Sequence, residues 1–97
     1  MPGYIIARAR IDDPEKAKAY AAQASEAIRK HGGRPLARGG AFTVLEGPDH
    51  GFTRYVILEF ESLEKAKAYF ASPEYQAAAA IRRDGAGVWE IVAVEGV

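Results

Sequence analysis

The sequence predicts an α+β domain built from two strand–helix–strand halves. Apolar residues alternate along four short segments and recur every three or four positions between them, in the order strand, helix, strand, strand, helix, strand. The string Glu15–Tyr20 recurs identically as Glu64–Tyr69, and each copy follows a predicted strand. This order is typical of ferredoxin-like domains. We therefore expect residues 1–97 to form one βαββαβ domain, with an antiparallel sheet and the helices on one face.

The first half opens with a strand over Tyr4–Ile11, where apolar residues alternate. A helix start follows at Asp12–Glu15. An aspartate there can accept backbone N–H bonds, a proline fits the first turn, and a glutamate suits the positive end of the helix dipole. Apolar side chains then recur at helical spacing as far as Ile28, and Gly32-Gly33 supplies a left-handed cap that ends the helix.

The middle of the chain predicts two further strands. Arg34–Arg38 is the first, and Pro35 places it at an edge of the sheet, because proline cannot donate to a strand ladder. Gly39-Gly40 predicts a turn or bulge, and Ala41–Glu46 is expected to be a further strand, either separate or continuous with Arg34–Arg38 through that bulge as a fourfold strand count requires. An exposed loop is predicted over Gly47–Gly51.

The second half repeats the pattern of the first. Arg54–Phe60 has the clearest strand alternation in the chain. Ser62 is expected to cap a helix, and Ser72-Pro73-Glu74 to restart it, because serine favours the cap position and proline the first turn. The restarted helix is predicted over Pro73–Arg83, and the last strand over Val88–Val94.

Composition excludes several classes of function. The chain has 13 basic and 13 acidic residues, and this zero net charge argues against nucleic-acid and membrane binding. Without cysteine, disulfides, thiolate nucleophiles and cysteine-based metal sites are excluded. The two histidines lack a metal-ligand spacing, so we predict no metal site and no cofactor. With no visible targeting segment or membrane span, a cytoplasmic location is expected. A thin, alanine-rich core favours oligomerisation.

Five short strings carry a resemblance to a known family: Gly32–Gly40, Val44–Gly47, Glu59-Phe60, Ser72–Gln76 and Val94–Gly96. Over nearly its whole length the chain resembles the small bacterial proteins grouped as domain of unknown function 1330. The resemblance implies a ferredoxin-like domain of the dimeric α/β-barrel type, in which two subunits join their open sheet faces. It also implies a pocket between sheet and helices. The superfamily includes cofactor-free monooxygenases, isomerases and haem enzymes.

Two residues are candidates for catalysis. Glu59 is the one acidic residue in an otherwise apolar strand, where burial would raise its pKa and suit it to act as a general base. The alternative is an ion pair with Arg8 across the sheet, which follows from counting both strands from their first tyrosine. His31 is the other candidate, and the alternative is a cation placed at the negative end of a helix dipole.

Four residues are candidates for ligand binding. Arg38, beside two glycines, is suited to hold a carboxylate, or else to pair with Glu46 or Glu59. Tyr20, Tyr69 and Tyr75 are expected either to line a pocket or to fill the core, as is Trp89.

Three hypotheses of function remain at the level of sequence. The first is a homodimer that binds a small organic ligand between sheet and helices. The second is a cofactor-independent monooxygenase or isomerase that uses Glu59 or a histidine, with Arg38 as an anion clamp. The third is a non-catalytic dimeric module that acts through protein contacts. The first two predict a pocket, and the third predicts a filled interior.

Overall fold

The computed structural model describes residues 1–48 and 50–97. Its element order confirms the predicted βαββαβ plan, with the second helical segment split in two. Position 49, in the predicted loop, lies outside the described residues. The elements are β1 Gly3–Ile11, α1 Pro14–Lys30, β2 Arg34–Arg38, β3 Arg54–Phe60, α2 Leu63–Ala71, α3 Pro73–Arg83 and β4 Gly87–Glu95.

The four strands form one sheet in the order β2-β3-β1-β4, and every neighbouring pair is antiparallel. The predicted pairing of Arg8 with Glu59 is therefore wrong. Counting both strands from their first tyrosine treated them as parallel, whereas the antiparallel register places Tyr4 opposite Glu59 and Arg8 opposite Tyr55. Arg8 instead pairs with Glu90 on β4, at 2.7 Å.

The remaining differences from the sequence analysis concern the edge strand β2 and the segment that follows it. Its edge position is confirmed, but the irregularity in its pairing falls between Pro35 and Ala37, before the two glycines. The strand predicted over Ala41–Glu46 does not form, and these residues are exposed. Because β2 already occupies the outer edge of β3, this segment could pair only with the outer edge of β2, and alternation alone does not bring it there.

The helix boundaries follow their caps. The side chain of Asp13 accepts the backbone N–H groups of Glu15 and Lys16 at the start of α1, and Gly32 has a φ of 75° beyond its end. Ser72 ends α2 and starts α3. Its hydroxyl donates to the Tyr69 carbonyl at 2.7 Å and accepts the Tyr75 N–H at 3.1 Å. One buried serine thus fixes the junction between two helices.

The three helices cover one face of the sheet and leave the other face open. The core lies on the covered face, where Ile5, Leu58 and Phe60 are buried beneath the helices. On the open face, apolar side chains remain exposed, including Ile6 at 43% and Val92 at 57%. An uncovered apolar sheet face of this kind marks an interaction surface.

Candidate functional site

A cavity of about 390 Å³ lies between the covered face of the sheet and the helices. This volume is within the usual range of small-molecule sites. Most of its wall is apolar, and the polar residues are confined to a few positions. It is lined by Ile5, Ala7, Ile11, Pro14, Ala17, Lys18, Tyr20, Ala21, Ala24, Ser25, Ile28, Arg38, Arg54, Val56, Leu58, Tyr69, Phe70, Tyr75, Trp89 and Ile91.

The packing of three helices on the sheet brings the aromatic residues of this cavity together. Tyr20 on α1 and Tyr75 on α3 place their hydroxyl oxygens 2.9 Å apart, and the Tyr20 ring also meets the edge of Trp89. Tyr69 on α2 stacks at an angle against Tyr75, with centroids 4.9 Å apart. The structure thus places all three candidate tyrosines, Tyr20, Tyr69 and Tyr75, on the wall of one cavity. Their role in ligand binding stays a prediction.

A buried arginine donates a hydrogen bond to this aromatic cluster. Arg82 is only 9% exposed, and its Nε donates to the Tyr75 hydroxyl at 3.2 Å. Because a guanidinium can only donate, the Tyr75 oxygen accepts from Arg82, and the hydrogen bond between the Tyr75 and Tyr20 hydroxyls can run in either direction. When Tyr75 donates to Tyr20, the hydroxyl hydrogen of Tyr20 is available to a further acceptor. This chain can present a polarised O–H donor to a carbonyl or enolate oxygen.

The hydroxyls of Tyr20 and Tyr69 stay protonated. Burial raises the pKa of Tyr20 and of Tyr69 far above the ordinary phenol value, although the positive charge of Arg82 opposes the rise. A phenol held neutral in this way donates a hydrogen bond but cannot act as a general base near neutral pH. Among the described residues that line the cavity there is no histidine and no carboxylate. The arrangement is therefore better suited to binding than to proton abstraction.

Three basic residues border the cavity where it meets solvent. Lys18 and Arg38 are exposed, and Arg54 is half-buried. Arg38 reaches from β2 to the Ser25 hydroxyl on α1, at 3.4 Å. The Arg54 guanidinium lies against Gly39, so closely that an added Cβ there would collide with it. Gly39 has a φ of 70°, which a glycine adopts without strain.

The two candidate catalytic residues lie elsewhere. Glu59 is on the open face, bonded to Arg34 at 2.6 Å, and borders a separate, more open hollow near the first residues of the chain. His31 joins the end of α1 to the start of α3 through a 2.7 Å bond between its Nε2 and Glu74. That bond lowers the pKa of Glu74. Neither side chain lines the cavity, so nothing in its geometry supports a catalytic role for them there.

The sequence analysis did not identify Arg82, Arg54 or Lys18 as site residues. Arg82 falls in the last turn of α3, where a basic residue is expected for the dipole alone. A signal was nevertheless present, because Arg82 and Tyr75 are seven positions apart, which is two helical turns, on one face of a predicted helix. For Arg54 and Lys18 the alternation of β3 and the helical stripe of α1 gave no comparable signal.

Two features are absent from the described residues, 1–48 and 50–97. No group of three or more histidine, aspartate or glutamate side chains is arranged to hold a metal ion. No helix in this part of the chain has both the length and the apolar character to cross a bilayer.

One family model matches residues 2–97, and its description is domain of unknown function DUF1330. The chain belongs to this family. No curated protein matches the sequence significantly. The family assignment agrees with the resemblance seen in the sequence.

Solved structures show the same fold at low sequence identity. A Rhodopseudomonas palustris protein of unknown function, RPA0582, has a TM-score of 0.78 and 19% identity, over 99% of this chain and 82% of the other. A dimeric protein of unknown function with a ferredoxin-like fold, from Bacteroides fragilis, has a TM-score of 0.63 and 20% identity, over 98% of this chain and 96% of the other. A mutant form of SnoaB, a cofactor-independent oxygenase from Streptomyces nogalater, has a TM-score of 0.67 and 16% identity, over 98% of this chain and 92% of the other. At these identities the similarity establishes the ferredoxin-like fold.

Proposed function

We propose that this protein binds a small organic molecule with an apolar body in the cavity between sheet and helices. The observation that carries the proposal is the cavity itself. It holds about 390 Å³ beneath α1, although the core beside it is closely filled by Phe60, Tyr69 and Tyr75. Small domains gain stability by filling their interiors, so a cavity of this size is costly unless it is used.

Two pairs of matched probes test this proposal: 2-naphthoate with 2-naphthamide, and octanoate with octanamide. Calorimetric titration should show saturable binding of at least one probe, with one site per chain. Ala21 lines the cavity, whereas its neighbour Ala22 is exposed on the outer side of the same helix. Ala21→Phe should therefore weaken binding at least about tenfold by occupying the space, and Ala22→Phe should leave it unchanged. If none of the four probes binds, or if Ala21→Phe binds as the wild type does, the proposal is wrong.

The proposal includes assembly as a homodimer through the open sheet face. Two of the similar structures, from Bacteroides fragilis and from a Jannaschia species, are described as dimeric, and both have the ferredoxin-like fold. The open face of this chain offers an apolar surface for a second copy, with Ile6 and Val92 directly opposite each other across β1 and β4.

A cofactor-independent oxygenase or isomerase is the second candidate function. The fold shared with SnoaB and the polarised hydroxyl chain from Arg82 to Tyr20 favour it, because such a donor can stabilise an enolate oxygen. Because no residue lining the described cavity can remove a proton, the test uses benzoylacetone, a diketone acidic enough to form its enolate without a base. Its consumption together with oxygen, or its conversion to an isomer, would support this function over simple binding, and Tyr20→Phe would then slow turnover. A probe that binds and is recovered unchanged favours binding alone.

A further inference from the structure

The basic residues of the chain divide into two groups, according to whether a carboxylate neutralises them. Most lysines and arginines form an ion pair within 4 Å. The pairs are Arg8–Glu90, Arg10–Asp12, Lys16–Asp84, Arg29–Glu26, Lys30–Glu74, Arg34–Glu59, Lys65–Glu61 and Lys67–Glu64. Within residues 1–48 and 50–97, the cations without a carboxylate partner are Lys18, Arg38, Arg54, Arg82 and Arg83.

The unpaired cations are not spread evenly over the molecule. Lys18, Arg38 and Arg54 all border the cavity, and Arg82 lies directly behind its tyrosines. Arg83 alone lies elsewhere, bonded to Gln76 on the outer surface of α3. Pairing is thus the rule away from the cavity and is absent at its rim, in the part of the chain that the structure describes.

Three like charges around an apolar opening have a predictable effect. They repel one another, and the low-dielectric wall beside them reduces their screening by water. Cations arranged in this way concentrate field lines in the opening and raise the local concentration of anions. The backbone keeps the arginines together, because Arg54 rests on Gly39, the residue that follows Arg38. A guanidinium is well suited to bind a carboxylate through two parallel hydrogen bonds.

The apolar interior of the cavity determines the chemistry of the rest of the ligand. Ile5, Ile28 and Leu58 are each at most 6% exposed and form the wall beyond the rim. A second carboxylate would lose its hydration there and would not reach Arg82, which lies behind the tyrosines and does not line the cavity. We propose that the ligand is an organic monocarboxylate, whose carboxylate is held at the rim by Lys18, Arg38 and Arg54 while its apolar body fills the cavity. This inference rests on the proposed function and names the chemical class of its ligand.

The same acid and amide probes test the ligand class. The acid and the amide of each pair share the same apolar group, and only the acid is charged. 2-Naphthoate should bind at least about tenfold more tightly than 2-naphthamide, and raising the salt from about 20 to about 200 mM should weaken only the acid. The double variant Arg38→Gln/Arg54→Gln should remove most of the preference, because it should weaken the acid far more than the amide while Lys18 remains. Arg34→Gln is the matched control, because Arg34 is on the same strand as Arg38 but pairs with Glu59 away from the cavity.

The outcomes separate the two proposals. If the amide binds as tightly as the acid and Ala21→Phe weakens both, the cavity is a ligand site but the carboxylate inference is wrong. If neither member of either pair binds, the proposed function itself fails. If the double variant keeps the preference for the acid but loses the homodimer in sedimentation, the arginines serve the partner subunit, and the inference is overturned.

Discussion

The two faces of the sheet carry similar side chains but distribute charge in opposite ways. On the open face the charged residues neutralise one another, as Arg8 does with Glu90 and Arg34 with Glu59, while apolar side chains are left exposed. On the covered face the apolar side chains are enclosed, and the cations at the cavity rim have no carboxylate partner among the described residues.

This difference indicates what each face is suited to bind. A surface with balanced charge and exposed apolar area gains most from another protein surface, because association buries the apolar area without stranding a charge. An enclosed apolar space with unbalanced charge at its rim gains most from a small ion of opposite sign. The contrast supports the proposed homodimer through the open face and the proposed ligand site on the covered face.

The largest expected effect is the loss of the homodimer when the open face is changed. Val92→Lys places a lysine opposite Ile6, where a homodimer would bury it without a partner. Burying an unpaired charge costs several kcal/mol, so the dimer dissociation constant should rise at least about a hundredfold. Sedimentation velocity at micromolar concentration measures the change.

Ala68→Lys is the control for this variant. Ala68 is exposed on α2, on the helical side of the molecule, so the added lysine there should leave the dimer intact. A wild-type chain that sediments as a monomer, or a Val92→Lys variant that remains dimeric, would contradict the assignment of the open face.

A smaller effect is expected when the glycine beside Arg54 at the cavity rim is replaced. Gly39 and Gly32 both have a positive φ, so replacing either by alanine should cost about 1–2 kcal/mol of stability. Only at Gly39 would the new Cβ also collide with the Arg54 guanidinium, since nothing lies within 4 Å of the position at Gly32.

Gly39→Ala should therefore lower the affinity for 2-naphthoate about tenfold, whereas Gly32→Ala should lower only the unfolding free energy. Urea denaturation and calorimetric titration of both variants check this difference. Equal affinities in the two variants would show that Arg54 does not need its place against Gly39.

The smallest expected effect concerns the bond between His31 and Glu74 at the junction of α1 and α3. This bond lowers the pKa of Glu74 below its usual value of 4.5, so its stabilisation is complete above that pH and is lost as the pH falls below it. Glu74→Gln should reduce the acid sensitivity of the melting temperature by a few degrees at most.

Glu64→Gln provides the comparison, because Glu64 occupies the first turn of α2 as Glu74 does that of α3. Calorimetric melting curves from neutral to acidic pH should show a weaker acid dependence in Glu74→Gln than in Glu64→Gln. The same dependence in both variants would mean that the His31 bond adds nothing beyond the helix dipole.

Much of the fold could be predicted from the sequence, because its signals are local. The Asp13 cap, the Ser72-Pro73 restart and the Gly32 cap each act within a few residues, and each has the predicted effect. The failed strand over Ala41–Glu46 shows the limit of such signals. Alternation describes a segment that fits a sheet, but a strand forms only where the chain path brings that segment against an edge.

Of the candidate site, the sequence identified the tyrosines and Arg38 but not their arrangement. Amphipathic spacing and caps determined which segments become helices, since these depend on near neighbours in the chain. The tertiary structure alone decided that Glu59 pairs with Arg34 and not with Arg8, because strand direction sets the register. It also decided that Lys18, Arg38 and Arg54 border one cavity, because α1, β2 and β3 are brought together only by packing, and charge balance depends on distance in space.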